Sequence, residues 1–265
     1  MITRPNANHM FFIKRFLYKT LGLRRYLKLI SQIFFLSYKN GWLKNKREYY
    51  CHYYIKNLIQ KNDVIIDIGA NLGYYSRLFA KLTGKDGKVY AVEPVELFRN
   101  ILSENLTGIS NVEVMPYALG QNSGQQISMG LPASNKYLSH GRTHVVSKDE
   151  ESEFERQFKA EMRNPNDLFK DLNKIDYIKC DIEGYEIVVI PEMLPLLKEH
   201  KPTLQIETDG NNRKKIIDIL LPLGYKIFYI DADGAKHYNI DNPPEFSGDL
   251  IFSLNDLENS TKGDI

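Results

Sequence analysis

The chain has little cysteine, one tryptophan and no long apolar run. Its two cysteines, Cys51 and Cys180, lie far apart in 265 residues. That excludes a disulfide framework as the source of stability and points to a reducing compartment, with both thiols read as small core side chains. In the N-terminal segment the longest charge-free stretch runs only from Leu29 to Tyr38. A transmembrane helix needs roughly 20 mostly apolar residues. Lys14, Arg15, Lys19, Arg24 and Arg25 interrupt any apolar region of a signal peptide. Neither a solenoid-length repeat nor a low-complexity tract is present, which sets repeat arrays and disordered chains aside.

Acid is scarce at one end. Residues 1–62 hold thirteen Lys and Arg against a single acid, Glu48, and the remainder carries a negative surplus of ten. This split predicts that the first segment meets an anionic surface or docks on the acidic body of its own chain. Residues 9–40 read as helix with a bend at Gly22. One apolar stripe is Phe12, Phe16, Leu17 and Leu21; the second is Leu23, Tyr26, Leu27, Ile30, Ile33 and Phe34. Two uses fit such a helix: a cap packed on the main domain, or a peripheral contact with a membrane interface.

From Asp63 the pattern becomes strands alternating with helices. Short apolar strands are expected at 64–68, 88–92, 112–116, 177–180, 203–207, 225–230 and 250–253, with helices at 74–82, 95–106, 186–199 and 213–221. Apolar strands alternating with helices predict a mostly parallel sheet covered on both faces. No helix separates the last two strands, so they are expected to pair antiparallel. The expected fold is α/β, Rossmann-like, with a seven-stranded sheet closed by a C-terminal antiparallel hairpin and preceded by N-terminal helices. Residues 1–60 form the basic segment, 61–256 the main domain and 257–265 a tail. The 121–174 insertion is too long for an ordinary loop and reads as a lid, with a charged helix expected at 148–163.

The Gly-x-Gly-x-x-Gly loop of dinucleotide sites is also missing. In its place the first strand ends in Asp67-Ile68-Gly69-Ala70-Asn71-Leu72-Gly73. Gly69 and Gly73 permit a tight turn and close approach of a ligand to the backbone. Asp67 would repel a pyrophosphate but would attract a ligand bearing a sulfonium and an ammonium. The second strand ends in Glu93-Pro94, where a carboxylate can accept both hydroxyls of a ribose. Together the two acids favour S-adenosylmethionine over a nicotinamide cofactor. The fourth strand ends in Lys179-Cys180-Asp181-Ile182-Glu183, and the fifth in Gln205-Ile206-Glu207-Thr208-Asp209. Acids clustered at adjacent strand tips must be paired, and Lys179 is the available partner. Asp181, Glu183, His140 and His144 are the candidate bases for an acceptor hydroxyl. No third ligand is convincingly spaced for a metal, so none is expected.

Beyond these residues the sequence resembles the FkbM family of S-adenosylmethionine-dependent methyltransferases over roughly residues 60–255. The matching strings are 67–76, Val92-Glu93-Pro94, Tyr117-Ala118-Leu119-Gly120, Ile175 to Glu186, and Pro202 to Glu207. The Ile-Lys-x-Asp-x-Glu-Gly-x-Glu string is the most specific. The resemblance implies methyl transfer, usually to oxygen and often on sugar or polyketide hydroxyls. It implies a cofactor lined by Asp67, Gly69, Ala70, Asn71, Gly73, Tyr74, Glu93, Pro94, Ala118 and Asp181, with Asp181, Glu183 and His144 placed for catalysis. The expected partner is a hydroxyl-bearing, carbohydrate acceptor. Nucleic acid ranks lower because the main domain is acidic and lacks a basic stripe. The expected location is cytoplasmic, with peripheral contact at the inner membrane face through residues 9–40.

Overall fold

A computed structural model describes residues 7–132, 144–145, 154–246 and 248–258. The chain opens with α1 (Ala7–Lys39), which breaks at Gly22, whose φ of 72° is left-handed. A short α2 (Tyr50–Tyr54) follows. The alternating region then runs β1 (Val64–Ile68), α3 (Ser76–Thr83), β2 (Lys88–Val92), α4 (Glu96–Asn105) and β3 (Val112–Met115). Next come β4 (Tyr117–Leu119), β5 (Gln126–Pro132), β6 (His144–Val145) and β7 (Phe154–Arg163). The chain continues through α5 (Pro165–Phe169), β8 (Tyr177–Cys180), α6 (Glu186–Glu192), α7 (Leu194–His200), β9 (Thr203–Ile206) and α8 (Gly210–Leu220). It closes with β10 (Lys226–Asp231), β11 (Gly234–His237) and β12 (Leu250–Ser253).

The main sheet has the order β11-β10-β12-β9-β8-β1-β2-β3. β3, β2, β1, β8 and β9 are parallel, while β12 is antiparallel to β9 and to β10. The Rossmann-like class expected from the sequence is therefore present, including the C-terminal antiparallel pair. The strand count is corrected from seven to eight. Asp231 and Gly234 pair across a two-residue turn, and β11 folds back on β10. The turn residues are Ala232 and Asp233, and the Asp233 amide donates to Asp231 Oδ1 at 2.8 Å.

The insertion holds the larger correction. The charged stretch expected as a helix is, from Phe154 to Arg163, strand β7, paired antiparallel with β5 in a second sheet of order β4-β7-β5-β6. Residues 148–153 lie outside the described residues. The physical reason is a period of two. Ala160 and Met162 are buried while Lys159 is exposed, and alternation of this kind makes a strand with one wet face.

α1 is a cap. Leu23, Tyr26 and Leu27 are buried in one apolar cluster with Leu72, Phe98, Ala118 and Met129. Asn105 on α4 ties the cap to the body: its amide donates to Leu72 O at 2.8 Å, and its carbonyl accepts from Lys28 Nζ at 2.8 Å and Gln32 Nε2 at 2.7 Å. Arg24 and Lys28 meet Glu104 at 2.5 and 3.3 Å. The basic segment thus docks, in part, on the acidic body of its own chain. Among the described residues no helix is long and apolar enough to cross a membrane.

Candidate functional site

The loop after β1 turns through three left-handed residues, Gly69 (φ 78°), Asn71 (51°) and Gly73 (86°). A Cβ on Gly69 would lie 1.9 Å from the carbonyl oxygen of Asp181, so no other residue fits. The loop crosses the end of β2, where Gly69 and Ala70 amides donate to Val92 O at 3.1 and 3.0 Å. Glu93, at the tip of β2, accepts from the Asn71 and Val95 amides, each at 2.8 Å. Burial raises its carboxyl to about 7, against the lowering effect of those two amides.

The loop after β8 closes the other side. Asp181 follows the strand, and Glu183 adopts a left-handed φ of 57°. That conformation is costly for a residue with a Cβ and recurs at functional sites. Glu186 secures the turn by accepting from the Ile182 amide at 2.7 Å. Gly69, Asn71, Glu93, Pro94, Asp181 and Glu183 all line one cavity. Ala118 lines it from β4 and Met129 from β5, so part of the insertion supplies a wall.

Behind the cavity a polar row crosses the sheet on the face covered by α2 and α3. In register, Asp67 of β1 neighbours Lys179 of β8, which neighbours Gln205 of β9. Asp67 is fully buried, accepts from Ser76 Oγ at 2.5 Å, and has its second oxygen without a protein donor. Lys179 donates to Asp181 at 2.8 Å. Burial lowers the Lys179 ammonium, but Asp181, Asp67 and Asp249 outweigh that and hold it above its ordinary value. Asp181 also hydrogen-bonds Glu207. Burial opposes ionisation of Asp181, yet Lys179 keeps its carboxyl below the usual value. Burial and the Asp181 charge push Glu207 up to about 9. Burial and the short separation of the two carboxylates thus favour the protonated form of Glu207 beside an ionised Asp181.

Most sequence-predicted positions converge here, but not all. Asp67 sits under the loop rather than on the cavity wall, in contact with Ser76 and the Lys179 charge. Ala70 is buried against Ala91 and Leu102, and a Cβ on Gly73 would clash with Leu102 at 2.6 Å. Tyr74 faces away, stacking edge-on against Phe34 at 4.6 Å in a second cavity beneath α1. His140 lies outside the described residues, as does the side chain of His144. Glu207 was read from the sequence only as one of several clustered acids. The structure groups its carboxylate with those of Asp181 and Glu183 within 4.8 Å. Tyr117 and Tyr185, which fall inside the family-matching strings without being singled out, also line the wall, and so does Met129, which carried no sequence signal because only the fold brings its segment to the cavity.

The structure resembles the methyltransferase FkbM from Methylobacillus flagellatus KT, at 20% identity and a TM-score of 0.51, covering 80% of this chain and 52% of that one. Weaker likenesses are a SAM-dependent O-methyltransferase from Thermotoga maritima (15% identity, TM-score 0.41, 77% of this chain, 63% of that one) and a SAM-dependent methyltransferase from Aquifex aeolicus (15%, 0.41, 80% and 92%). The chain spans about half the length of the Methylobacillus protein. No curated protein matches it. A family model described as the methyltransferase FkbM domain matches residues 67–227, more than half of the chain. With its Rossmann-like sheet and the cavity at the tips of β1, β2 and β8, the chain belongs to the FkbM family of S-adenosylmethionine-dependent methyltransferases.

Proposed function

We propose that this chain methylates a hydroxyl group on a sugar, glycan or glycolipid, with S-adenosylmethionine as donor. One observation carries the reading: Gly69, Asn71 and Glu93 share a single cavity with Asp181 and Glu183. The residues suit the cofactor. Asn71, on the cavity wall, has its Oδ1 buried without a protein donor, and ribose hydroxyls and an ammonium are donors. Unpaired buried acceptors are costly, so a bound donor is favoured there. Glu93 is held by two amides yet keeps lone pairs for a ribose.

When bound, the cofactor supplies a methyl group already activated by its sulfonium sulfur. The protein's task is then to hold an acceptor oxygen in line with that methyl and exclude water. Met129 and Phe98 furnish apolar wall. Asp181, kept ionised by Lys179 and hydrogen-bonded to a protonated Glu207, would accept the hydroxyl proton as the methyl passes from sulfur to the acceptor oxygen, the carbon–sulfur bond breaking as the carbon–oxygen bond forms. The carboxylates of Asp181 and Glu183 on the wall favour a neutral, hydroxyl-rich acceptor over a phosphate-rich one, which supports a carbohydrate above nucleic acid.

The test is transfer of labelled methyl from S-adenosylmethionine into cell-extract fractions. Label in carbohydrate or glycolipid, lost with Asp181→Asn, is the expected result. Label confined to RNA or protein would overturn the acceptor. A purified chain that binds no S-adenosylmethionine by calorimetry would overturn the reaction.

A further inference from the structure

α1 buries one side and leaves another unpartnered. Between its second half and α3 lies an open cavity of about 490 Å³, separate from the cofactor cavity. Lys39, Lys44, Arg77 and Lys81 line it together with aromatic walls that include Phe35 and Tyr53. All four cations are exposed, and among the described residues no acid lines the cavity. Among the described residues no ion pair engages any of the four. The Arg77 guanidinium sits 4.7 Å over the Phe35 ring, which fixes one cation at the wall.

Next to this cavity the surface is apolar. Ile33 is 52% exposed, Leu36 55% and Trp42 67%. Ile33 and Leu36 are three apart and share one helix face. Gly41, with φ 73°, ends the helix, and the Trp42 amide donates back to Ser37 O at 3.0 Å, which sets the indole just beyond that end.

We propose that this face docks on an anionic lipid bilayer, with a lipid phosphate held among Lys39, Lys44, Arg77 and Lys81 and with Ile33, Leu36 and Trp42 at headgroup depth. Charge complementarity selects the occupant. Four unpaired cations on a segment with a large positive surplus attract an anionic leaflet. Exposed aliphatic side chains beside them gain nothing from a small soluble phosphate. Nor do exposed aliphatic side chains such as Ile33 and Leu36 contribute to base stacking, so a nucleic acid would leave them in water. Tryptophan is the residue favoured at membrane–water interfaces. Tyr74, next after the cofactor loop, lines the same cavity, so docking would bring the loop close to the membrane surface.

Trp42 is the sole tryptophan, so its emission reports docking directly and without any activity assay. The full chain is mixed with vesicles of phosphatidylcholine containing phosphatidylglycerol, with vesicles of phosphatidylcholine alone, with inorganic phosphate, and with an oligoribonucleotide. The expected result is a blue shift and cosedimentation with the anionic vesicles only. Lys44→Glu combined with Lys81→Glu should weaken that binding about tenfold or more, and Leu36→Ser should reduce the blue shift, with thermal melts showing both variants folded. No shift with anionic vesicles, an equal shift with neutral vesicles, or the same shift with phosphate or RNA would each overturn the proposal.

Discussion

Lys179 Nζ lies 2.8 Å from Asp181 Oδ2, and the same ammonium, 2% exposed, stands beside Asp67 in the register of β1 and β8. A single buried cation thus stands between the acid beneath the β1 loop and the acid that lines the cavity after β8. Lys179→Met should destabilise the fold by about 3–5 kcal/mol, because removing one partner leaves buried negative charge uncompensated. Urea denaturation at neutral pH measures this. A loss below about 1 kcal/mol would show that the acids take up protons and need no ammonium.

The Asp181–Glu207 pair makes a pH prediction. Glu207 rises from an ordinary 4.5 to about 9 in the folded chain. A raised folded value means that its contribution is complete below 4.5 and is lost as pH climbs toward about 9. Stability of the native chain relative to Glu207→Gln should therefore decline across that window. Parallel stability curves for the two proteins would refute the protonated Glu207.

Glu93 gives a linkage test on the cofactor side. Burial places its carboxyl near 7, and a ribose is best accepted by the ionised form. Binding of S-adenosylmethionine at about pH 6 should release a proton. Calorimetric enthalpies should then vary with the buffer's ionisation enthalpy, and Glu93→Gln should abolish the variation while weakening affinity by about 1–3 kcal/mol. Buffer-independent enthalpies for the native chain would contradict this.

Gly69→Ala tests the cradle. The added carbon meets the Asp181 carbonyl at 1.9 Å, so the loops after β1 and β8 must separate. Cofactor affinity should fall at least as far as in Glu93→Gln, with a drop in melting temperature. Near-native affinity would mean that the cofactor does not use this junction.

Asn105→Ala tests whether the N-terminal cap supports the site. Leu72 O loses a buried donor, and Lys28 and Gln32 lose their shared acceptor. A loss of about 1–3 kcal/mol in stability is expected, with weaker cofactor binding because Leu72 lies inside the loop. Unchanged affinity alongside lowered stability would limit the cap to a structural part.

Local chemistry wrote much of this molecule into its sequence. The tight turn at Gly69 and Gly73, the strand-tip positions of Glu93 and Asp181, and the apolar runs of β1, β2 and β8 were legible because turn geometry, strand-tip position and burial on both faces each demand particular residue types nearby in the chain; that Asp67 lies beneath the loop was not. β7 was misread because its charged composition masked an alternation that only pairing with β5 rewards. Other features required the fold itself. Glu207 hydrogen-bonds Asp181, Met129 walls the cavity and Tyr74 turns to α1, all through contacts between residues remote in sequence. Periodicity and motifs report what each segment prefers alone. Which charges must share one buried space, and which faces stay exposed, is decided by how the segments pack.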